Sequence, residues 1–437
     1  MPSKILLKMP GARTAETGAP EPVTVLRAED GRHALALLSA ARFGYPAKKM
    51  TTIGVTGTKG KTTTTYMIKA MLEAAGQKTG LIGTNGAVIG DAHYPTKNTT
   101  PESYILQEYF ARMAEEGCRY MVMEVSSQSY LMHRVDGIFF DCAVFLNISN
   151  DHIGPNEHAS FEEYLDYKKM LLKNCRVAYV NRDDPHYGEI RRGVPAKIRT
   201  FSLEQEADFT ADAIRYVREP DFVGLEFRIH GGLEAEMRVG VPGRFNVSNA
   251  LAAAAVLSPF HLDPSCMSRG LEHLRVDGRM EIAYRSERCT VIVDYAHNAV
   301  SMESLLLTLR DYHPKRLVCV FGCGGNRARD RRFSMGEIAG RLADLSIITA
   351  DNSRFEKTED ILADIREGLL RSQGTFLEIP DRREAIEYSL AHSQPGDIIA
   401  VIGKGHEDYQ EIEGVRYHFL DREAVQEAAE KLGLEKG

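Results

Sequence analysis

From Met50 onward, short apolar runs alternate with stretches whose apolar residues recur every three or four positions. Thr51 to Thr56, Thr79 to Ile82, Tyr120 to Val125 and Asp141 to Ile148 read as strands. Thr62 to Ala75 reads as an amphipathic helix, and Glu102 to Glu116 as another. Continuous apolar strands separated by helices predict a parallel sheet with both faces covered, which is the α/β pattern. From Thr200 to Val241 the chain reads as strands and turns without a strong helix, and Asn246 to Leu257 is helical again.

A boundary is expected near Val276-Asp277-Gly278-Arg279, after which the alternation restarts. Val291 to Val293, Arg316 to Phe321, Leu345 to Thr349 and Asp397 to Ile402 read as strands, with a helix over Ser301 to Leu309. Three parts are predicted: a reduced N-terminal segment over 1–48, a central P-loop parallel-sheet domain over 49–275, and a Rossmann-like α/β domain over 276–437. The opening segment is too short for a full domain, and no internal repeat is present.

Composition narrows the function classes. A length of 437 residues exceeds what one core organises. A formal charge of −7 argues against general affinity for nucleic acid, which needs a basic surface to displace counterions. Met1 to Lys8 lacks the apolar centre of a signal peptide. The longest apolar run, Leu251 to Leu257, falls far short of the ~20 residues that span a bilayer. Seven cysteines lie scattered, without zinc or redox spacing, and read as buried thiols in a reducing compartment. A cytoplasmic protein binding neither nucleic acid nor membrane is expected.

Gly57-Thr58-Lys59-Gly60-Lys61-Thr62-Thr63 stands between the first strand and its helix. Glycines let backbone approach phosphate, and a helix N-terminus offers N–H groups and a positive dipole end. Lys61 is placed to neutralise the β and γ phosphates of a nucleoside triphosphate, and Thr62 to put its hydroxyl on Mg²⁺. The strict pattern wants its first glycine where Val55 stands, and Gly54 lies one residue earlier.

Glu124, at the carboxyl end of a strand beside this loop, is placed to hold Mg²⁺, although a solvated strand-end glutamate is the plainer reading. Asp151-His152 follows the next strand and reads either as a metal ligand or as a turn and helix cap. Lys168 falls on the apolar stripe of Phe161, Tyr164, Leu165, Leu171 and Leu172, with Lys169 at its edge. A desolvated lysine becomes neutral and nucleophilic and can capture CO₂ as a carbamate, an anionic metal ligand. A side chain that snorkels to the surface is the alternative.

Taken in order, the phosphate loop, Asn98-Thr99-Thr100-Pro101-Glu102, Glu124-Val125-Ser126-Ser127 and Asn147-Ile148-Ser149-Asn150-Asp151-His152 resemble the Mur ligase family, and within it the tripeptide-synthetase branch. Asn181-Arg182-Asp183-Asp184-Pro185, Gly243 to Ala250, Gly278-Arg279-Met280-Glu281 and Asp294-Tyr295-Ala296-His297 continue the resemblance. Gly322 to Arg327, Asp351-Asn352-Ser353-Arg354 and Gly403-Lys404-Gly405-His406-Glu407 complete it, over roughly residues 50–425.

The resemblance implies ATP-driven amide formation: a substrate carboxylate is activated as an acyl phosphate, and an amine displaces phosphate. It implies ATP and two Mg²⁺ ions, with Lys61, Glu124, His152 and Lys168 as the catalytic set. Thr62 and Glu124 would hold one ion, and His152 with carbamylated Lys168 the other. Gly57, Thr58, Lys59, Gly60, Lys61, Thr62, Thr63, Asn181, Arg279, Asp294 and His297 match positions around the nucleotide. Asn98, Thr99, Thr100, Ser126 and Arg134 match contacts to a UDP-muramyl dipeptide. Arg327, Asp351, Asn352, Arg354, Gly403 and Glu407 match the pocket of the incoming amino acid. Arginine at the end of Asp351-Asn352-Ser353-Arg354 marks users of diaminopimelate, because a guanidinium grips a distal carboxylate bidentately. A monomer serving peptidoglycan precursor synthesis is expected.

The chain departs from the family's pattern in places. Only 56 residues precede Gly57, fewer than is usual, which points to a shortened N-terminal domain. Ser353, Gln128, Met132 and Asn298-Ala299 replace the usual proline, histidine, glutamine and Thr-Pro. An alternative acceptor, a UDP-free muropeptide or a secondary-metabolite carboxylate, therefore stays open. A nucleotide switch without ligation would leave the C-terminal motifs unexplained, and an inactive partner subunit conflicts with the intact catalytic set.

Overall fold

A computed structural model describes residues 3–7, 24–150, 153–154, 158–219 and 222–434. It divides into two compact units. One takes Met1–Thr210, Gly231–Leu233 and Leu251–Leu262; the other takes Ala211–His230, Glu234–Ala250 and Asp263–Gly437.

In the first unit β1 (Ser3–Leu7) pairs antiparallel with β2 (Thr24–Ala28), and α1 (Gly31–Arg42) follows. The Asp30 carboxylate caps α1 by accepting the N–H groups of Arg32 and His33. Next come β3 (Thr51–Thr56), α2 (Lys61–Ala74), β4 (Thr79–Gly83), β5 (Gly86–Ile89), β6 (Ala92–Tyr94) and α3 (Ser103–Glu115). The chain continues through β7 (Tyr120–Glu124), α4 (Ser127–Leu131), β8 (Phe140–Phe145) and α5 (Phe161–Lys173). It then forms β9 (Cys175–Asn181), α6 (Tyr187–Arg191) and β10 (Lys197–Ser202).

The sheet runs β10-β9-β8-β3-β7-β4-β5-β6, parallel from β10 to β4 and antiparallel beyond. β3 is the switch point, with β7 and β4 to one side and β8, β9 and β10 to the other. Such sheets bind ligands outside the carboxyl ends of the strands at this point.

Its walls are apolar, as the pattern requires. Ile53, Val55 and Val122 are fully buried, as are Met67, Ile68, Met71 and Leu72 of α2, while Met121 and Met123 of β7 lie in a core shared with Leu106, Phe110 and Leu171. Each such side chain contributes about 1.5–3 kcal/mol when wholly removed from water. β8 ends at Phe145, short of the expected Ile148. Asn147 is turned out of the strand direction by two hydrogen bonds to Lys59, and Ile148 donates its N–H to Asp184 Oδ2 at 2.7 Å.

After β10 come β11 (Phe209–Arg218), β12 (Val223–Gly231) and β13 (Ala235–Val239), then α7 (Arg244–Leu257) and α8 (Pro264–Glu272). The second unit continues with β14 (Glu281–Arg285), β15 (Cys289–Asp294), α9 (Ala299–Arg310), β16 (Leu317–Phe321) and α10 (Asp330–Leu342). There follow β17 (Leu345–Ile348), α11 (Thr358–Arg371), β18 (Phe376–Glu378), α12 (Arg382–Ala391) and β19 (Asp397–Ile402). The hairpin β20 (Tyr409–Ile412) and β21 (Val415–His418) and the helix α13 (Asp421–Lys431) complete it. The sheet order is β14-β15-β19-β16-β17-β18, parallel except for β14.

Arg382 and Asp421 form a wholly buried bidentate pair, both bonds 2.7 Å. The same guanidinium donates to the carbonyls of Ala350 and Ile402, at the carboxyl ends of β17 and β19. No helix among the described residues is long and apolar enough to cross a membrane. All seven cysteines are free; six are buried, and burial pushes the Cys142 and Cys175 thiols up to about 12.

Candidate functional site

In the first unit the phosphate loop closes between β3 and α2. Gly60, the residue before α2, is left-handed at φ 85°, and no side chain caps the helix. The N–H groups of a helix's first turn have no intrahelical partner, so this terminus faces the loop as an anion cradle. A side chain at Gly57 would bring its Cβ within 3.0 Å of Leu146 Cβ, which accounts for glycine there. Thr58 N–H donates to the Asn147 carbonyl at 3.0 Å, and Lys59 N–H to Asn147 Oδ1 at 2.9 Å. Thr58 Oγ1 meets the Tyr164 hydroxyl at 3.1 Å and accepts the Ser149 N–H at 3.0 Å. The loop is thereby fixed to the segment after β8 and to α5. Lys61 folds over the loop, its Nζ 2.9 Å from Gly57 O and 3.1 Å from Thr58 O. Thr62 and Thr63 are buried in the first turn, and Lys59 is exposed.

Glu124 ends β7, level with Val55 at the end of β3. It is 1% exposed, so the solvated strand-end reading does not hold. Thr84 donates its N–H to Oε1 at 2.8 Å and its hydroxyl to Oε2 at 3.3 Å. Among the described residues no cation pairs with it. A buried carboxylate held only by neutral donors suits a divalent cation, and the hydroxyl and carboxylate oxygens here are hard ligands of the kind Mg²⁺ takes.

Lys168 turns inward. It is 2% exposed, donates to Gly57 O at 2.8 Å and lies 4.7 Å from the Tyr164 ring centre. Lys169 is also largely buried, with Asp166 4.0 Å away, and burial lowers its pKa. Asp151 and His152 lie outside the described residues. Asn181, at the end of β9, donates to Leu146 O at 2.9 Å.

Of the residues expected on the acceptor side, Thr99, Thr100 and Ser126 lie near Glu124, and Arg134 lies against Glu102. Thr100 Oγ1 donates to the Glu124 carbonyl at 2.9 Å and accepts the Ser126 N–H at 3.1 Å. Thr99 shares a hydrogen bond with Thr84, 3.0 Å between hydroxyls. Arg134 grips Glu102 Oε1 through Nε at 2.9 Å and Nη2 at 2.8 Å. Asn98 is exposed on the loop before α3.

In the second unit the matching residues sit at the carboxyl ends of β15, β16, β17 and β19. Asp294 accepts the N–H groups of Met280 and Ala296, both at 2.8 Å. Burial raises its pKa, opposed by nearby Arg279 and those two N–H groups. The Arg279 guanidinium lies 4.9 Å from the Tyr295 ring centre, and His297 Nδ1 is 2.8 Å from Tyr295 O.

Asp351 and Asn352 are buried after β17. Gly403 must be glycine, since at φ 114° a Cβ would lie 2.7 Å from Asp351 Oδ2. Asn352 donates to Glu407 Oε2 at 2.8 Å, while its Oδ1 accepts Glu411 N–H at 2.9 Å and Lys404 Nζ at 3.3 Å. Arg354 donates to Gly325 O at 2.6 Å, and Arg327 is exposed.

Sequence reasoning missed four supports. Thr84 clamps Glu124 across 40 residues, and Asn147 holds Lys59 across 88. Neither leaves a local pattern. His158 is fully buried with Nε2 2.8 Å from Ser127 Oγ. Lys404 is fully buried, and burial lowers its pKa; the Gly403-Lys404-Gly405-His406-Glu407 motif contains it, but no role was assigned to it.

Comparison with known proteins agrees with this geometry. Residues 55–257 match the Mur ligase middle domain, and residues 278–405 match the Mur ligase glutamate ligase domain. The UDP-N-acetylmuramoyl-L-alanyl-D-glutamate–2,6-diaminopimelate ligase of Caldanaerobacter subterraneus subsp. tengcongensis is 40% identical over 407 residues, covering 93% of this chain and 83% of that protein. The like-named ligase of Geobacillus thermodenitrificans is 39% identical, covering 94% and 84%. A solved structure of a ligase of that name superposes with a TM-score of 0.70 at 32% identity, over 93% of this chain and 84% of that one. Folylpolyglutamate synthase of Mycobacterium tuberculosis shares the fold at 18% identity, with a TM-score of 0.68 over 92% and 96%. The chain belongs to the Mur ligase family of ATP- and Mg²⁺-dependent ligases.

Proposed function

We propose that this chain is the ATP-dependent ligase that adds meso-diaminopimelate to the D-Glu carboxylate of UDP-MurNAc-L-Ala-D-Glu. The observation that carries the reading is the convergence of Lys61 and Lys168 on Gly57 beside the buried end of the strand bearing Glu124. The names and identities of the relatives support it.

ATP supplies the γ-phosphoryl group that activates the carboxylate, and Mg²⁺ neutralises charge on its oxygens. Thr62 and Glu124 would hold one ion, and His152 with Lys168 the other. For the second role Lys168 must become anionic, and carbamylation of its desolvated amine does this. The loop backbone orients the phosphates, Lys61 supplies fixed positive charge, and Tyr164 with Thr58 keeps the loop rigid. Asn181, Arg279, Asp294 and His297 would contact the nucleotide; Asn98, Thr99, Thr100, Ser126 and Arg134 the acceptor. Arg327, Asp351, Asn352, Arg354, Gly403 and Glu407 would form the amino-acid pocket. A functional division at 1–48, 49–275 and 276–437, a monomeric state and a cytoplasmic location belong to the same proposal.

Calorimetry with UDP-MurNAc-L-Ala-D-Glu tests the acceptor, and saturable binding is the expected result. A second reading, with a UDP-free acceptor, is favoured by Met132 and Gln128 standing on α4 and its cap. Binding of the UDP-free muropeptide alone would replace the first reading with the second.

A further inference from the structure

Away from the phosphate loop, two histidines distant in sequence converge on one carboxylate oxygen. His33 Nδ1, on α1, lies 2.5 Å from Asp136 Oδ2. His133 Nδ1, just after α4, lies 2.6 Å from the same oxygen. One ligand atom from each of the three residues lies within 4.8 Å of the other two. The other nitrogen of His133, Nε2, meets Asp30 Oδ2 at 3.3 Å.

We propose that His33, His133 and Asp136 form a binding site for a late transition-metal dication such as Zn²⁺, Co²⁺ or Ni²⁺, separate from the Mg²⁺ positions and independent of the proposed function. Imidazole nitrogen suits these ions, whereas Mg²⁺ prefers an all-oxygen octahedron. Zinc bonds of about 2.0–2.1 Å in a tetrahedron place ligand atoms about 3.4 Å apart. Each N···O pair here needs to open by less than about 1 Å to admit the ion. The side chains of His33 and His133 are 50% and 35% exposed, which leaves room for that movement and for water as fourth ligand.

Asp30 then plays the part of the outer carboxylate that orients a metal-bound histidine through its second nitrogen. Two neutral imidazoles and two carboxylates balance the charge of a dication. The ion would clasp the start of α1 to the loop after α4. Arg32 and Arg134, each next to one of the histidines, already share Glu102 across the same junction.

The test uses the full, tag-free chain after chelator treatment, titrated with Zn²⁺ against a chromophoric competitor and, separately, with Co²⁺. One ion per chain is expected, with affinity reduced at least tenfold in His33→Gln and Asp136→Asn and unchanged in Glu124→Gln. ¹⁵N spectra of the native chain should show the His33 and His133 ring signals shifting with Co²⁺. Unchanged affinity in His33→Gln, loss confined to Glu124→Gln, or unmoved ring signals in the native chain would each overturn the site.

Discussion

The ammonium of Lys168 lies 2.8 Å from the carbonyl oxygen of Gly57, the first residue of the phosphate loop, with only 2% of the lysine exposed. A lysine so desolvated, reaching from α5 to the phosphate loop, is the proposed point of modification. Lys168→Ala should lower kcat by about 100-fold or more while ATP still binds, the scale expected for removing one charge-stabilising group. Bicarbonate or a short carboxylic acid should restore part of the rate, and ¹³C-bicarbonate should give a carbamate resonance in the native chain only. Native-like rates in the variant would remove the carbamate from the mechanism.

Glu124 offers a sharper test of metal binding. Glu124→Gln keeps an oxygen for Thr84 but loses the charge. Its Mg²⁺ requirement should rise and kcat fall about 100- to 1,000-fold, with folding intact. A rate profile against Mg²⁺ identical to that of the native chain would show that this carboxylate holds no catalytic ion.

Much of this site was legible in sequence because its signals are local. Strand, glycine loop and Lys61-Thr62 follow one another, Glu124 ends an apolar run, and Lys168 keeps helical spacing with Tyr164 and Leu172. The supports were not legible, because they act between segments far apart in sequence. The Thr84 clamp on Glu124 and the Asn147 hold on Lys59 are contacts that no periodicity encodes. The same contact explains the misplaced end of β8. The apolar residues Leu146 and Ile148 carry the strand pattern onward, but Asn147 between them is committed to the loop.

Arg354 is expected to grip the distal carboxylate of the amino acid. In Arg354→Ala the KM for diaminopimelate should rise about 10- to 100-fold, the worth of one charged hydrogen-bonding contact, while the KM for ATP stays constant. Equal rises in both would point to a disturbed fold around Gly325, which Arg354 also holds.

The buried Arg382–Asp421 pair should matter for stability, because it also ties down the ends of β17 and β19. Asp421→Asn strands a buried guanidinium and should cost about 3–5 kcal/mol in urea unfolding. The double variant Arg382→Met with Asp421→Leu should recover part of that loss, since no unpaired charge remains.

His406 gives a pH dependence with a definite sign. Burial, helped by nearby Arg279, lowers its pKa to about 4. An unfolded imidazole titrates near about 6.5, so between these values the unfolded chain binds the extra proton. Stability should therefore fall as pH drops from about 6.5 towards 4, by at most about 1.4 kcal/mol per unit from this group. His406→Gln should flatten that slope in unfolding curves measured across the range.

The most direct measurement is phosphate release from ATP, with the product identified by mass, when the chain is given UDP-MurNAc-L-Ala-D-Glu and meso-diaminopimelate together. Release that requires both substrates, and a product carrying one added diaminopimelate, is the expected result. Release indifferent to either substrate, or an unchanged acceptor, would contradict the proposed ligation.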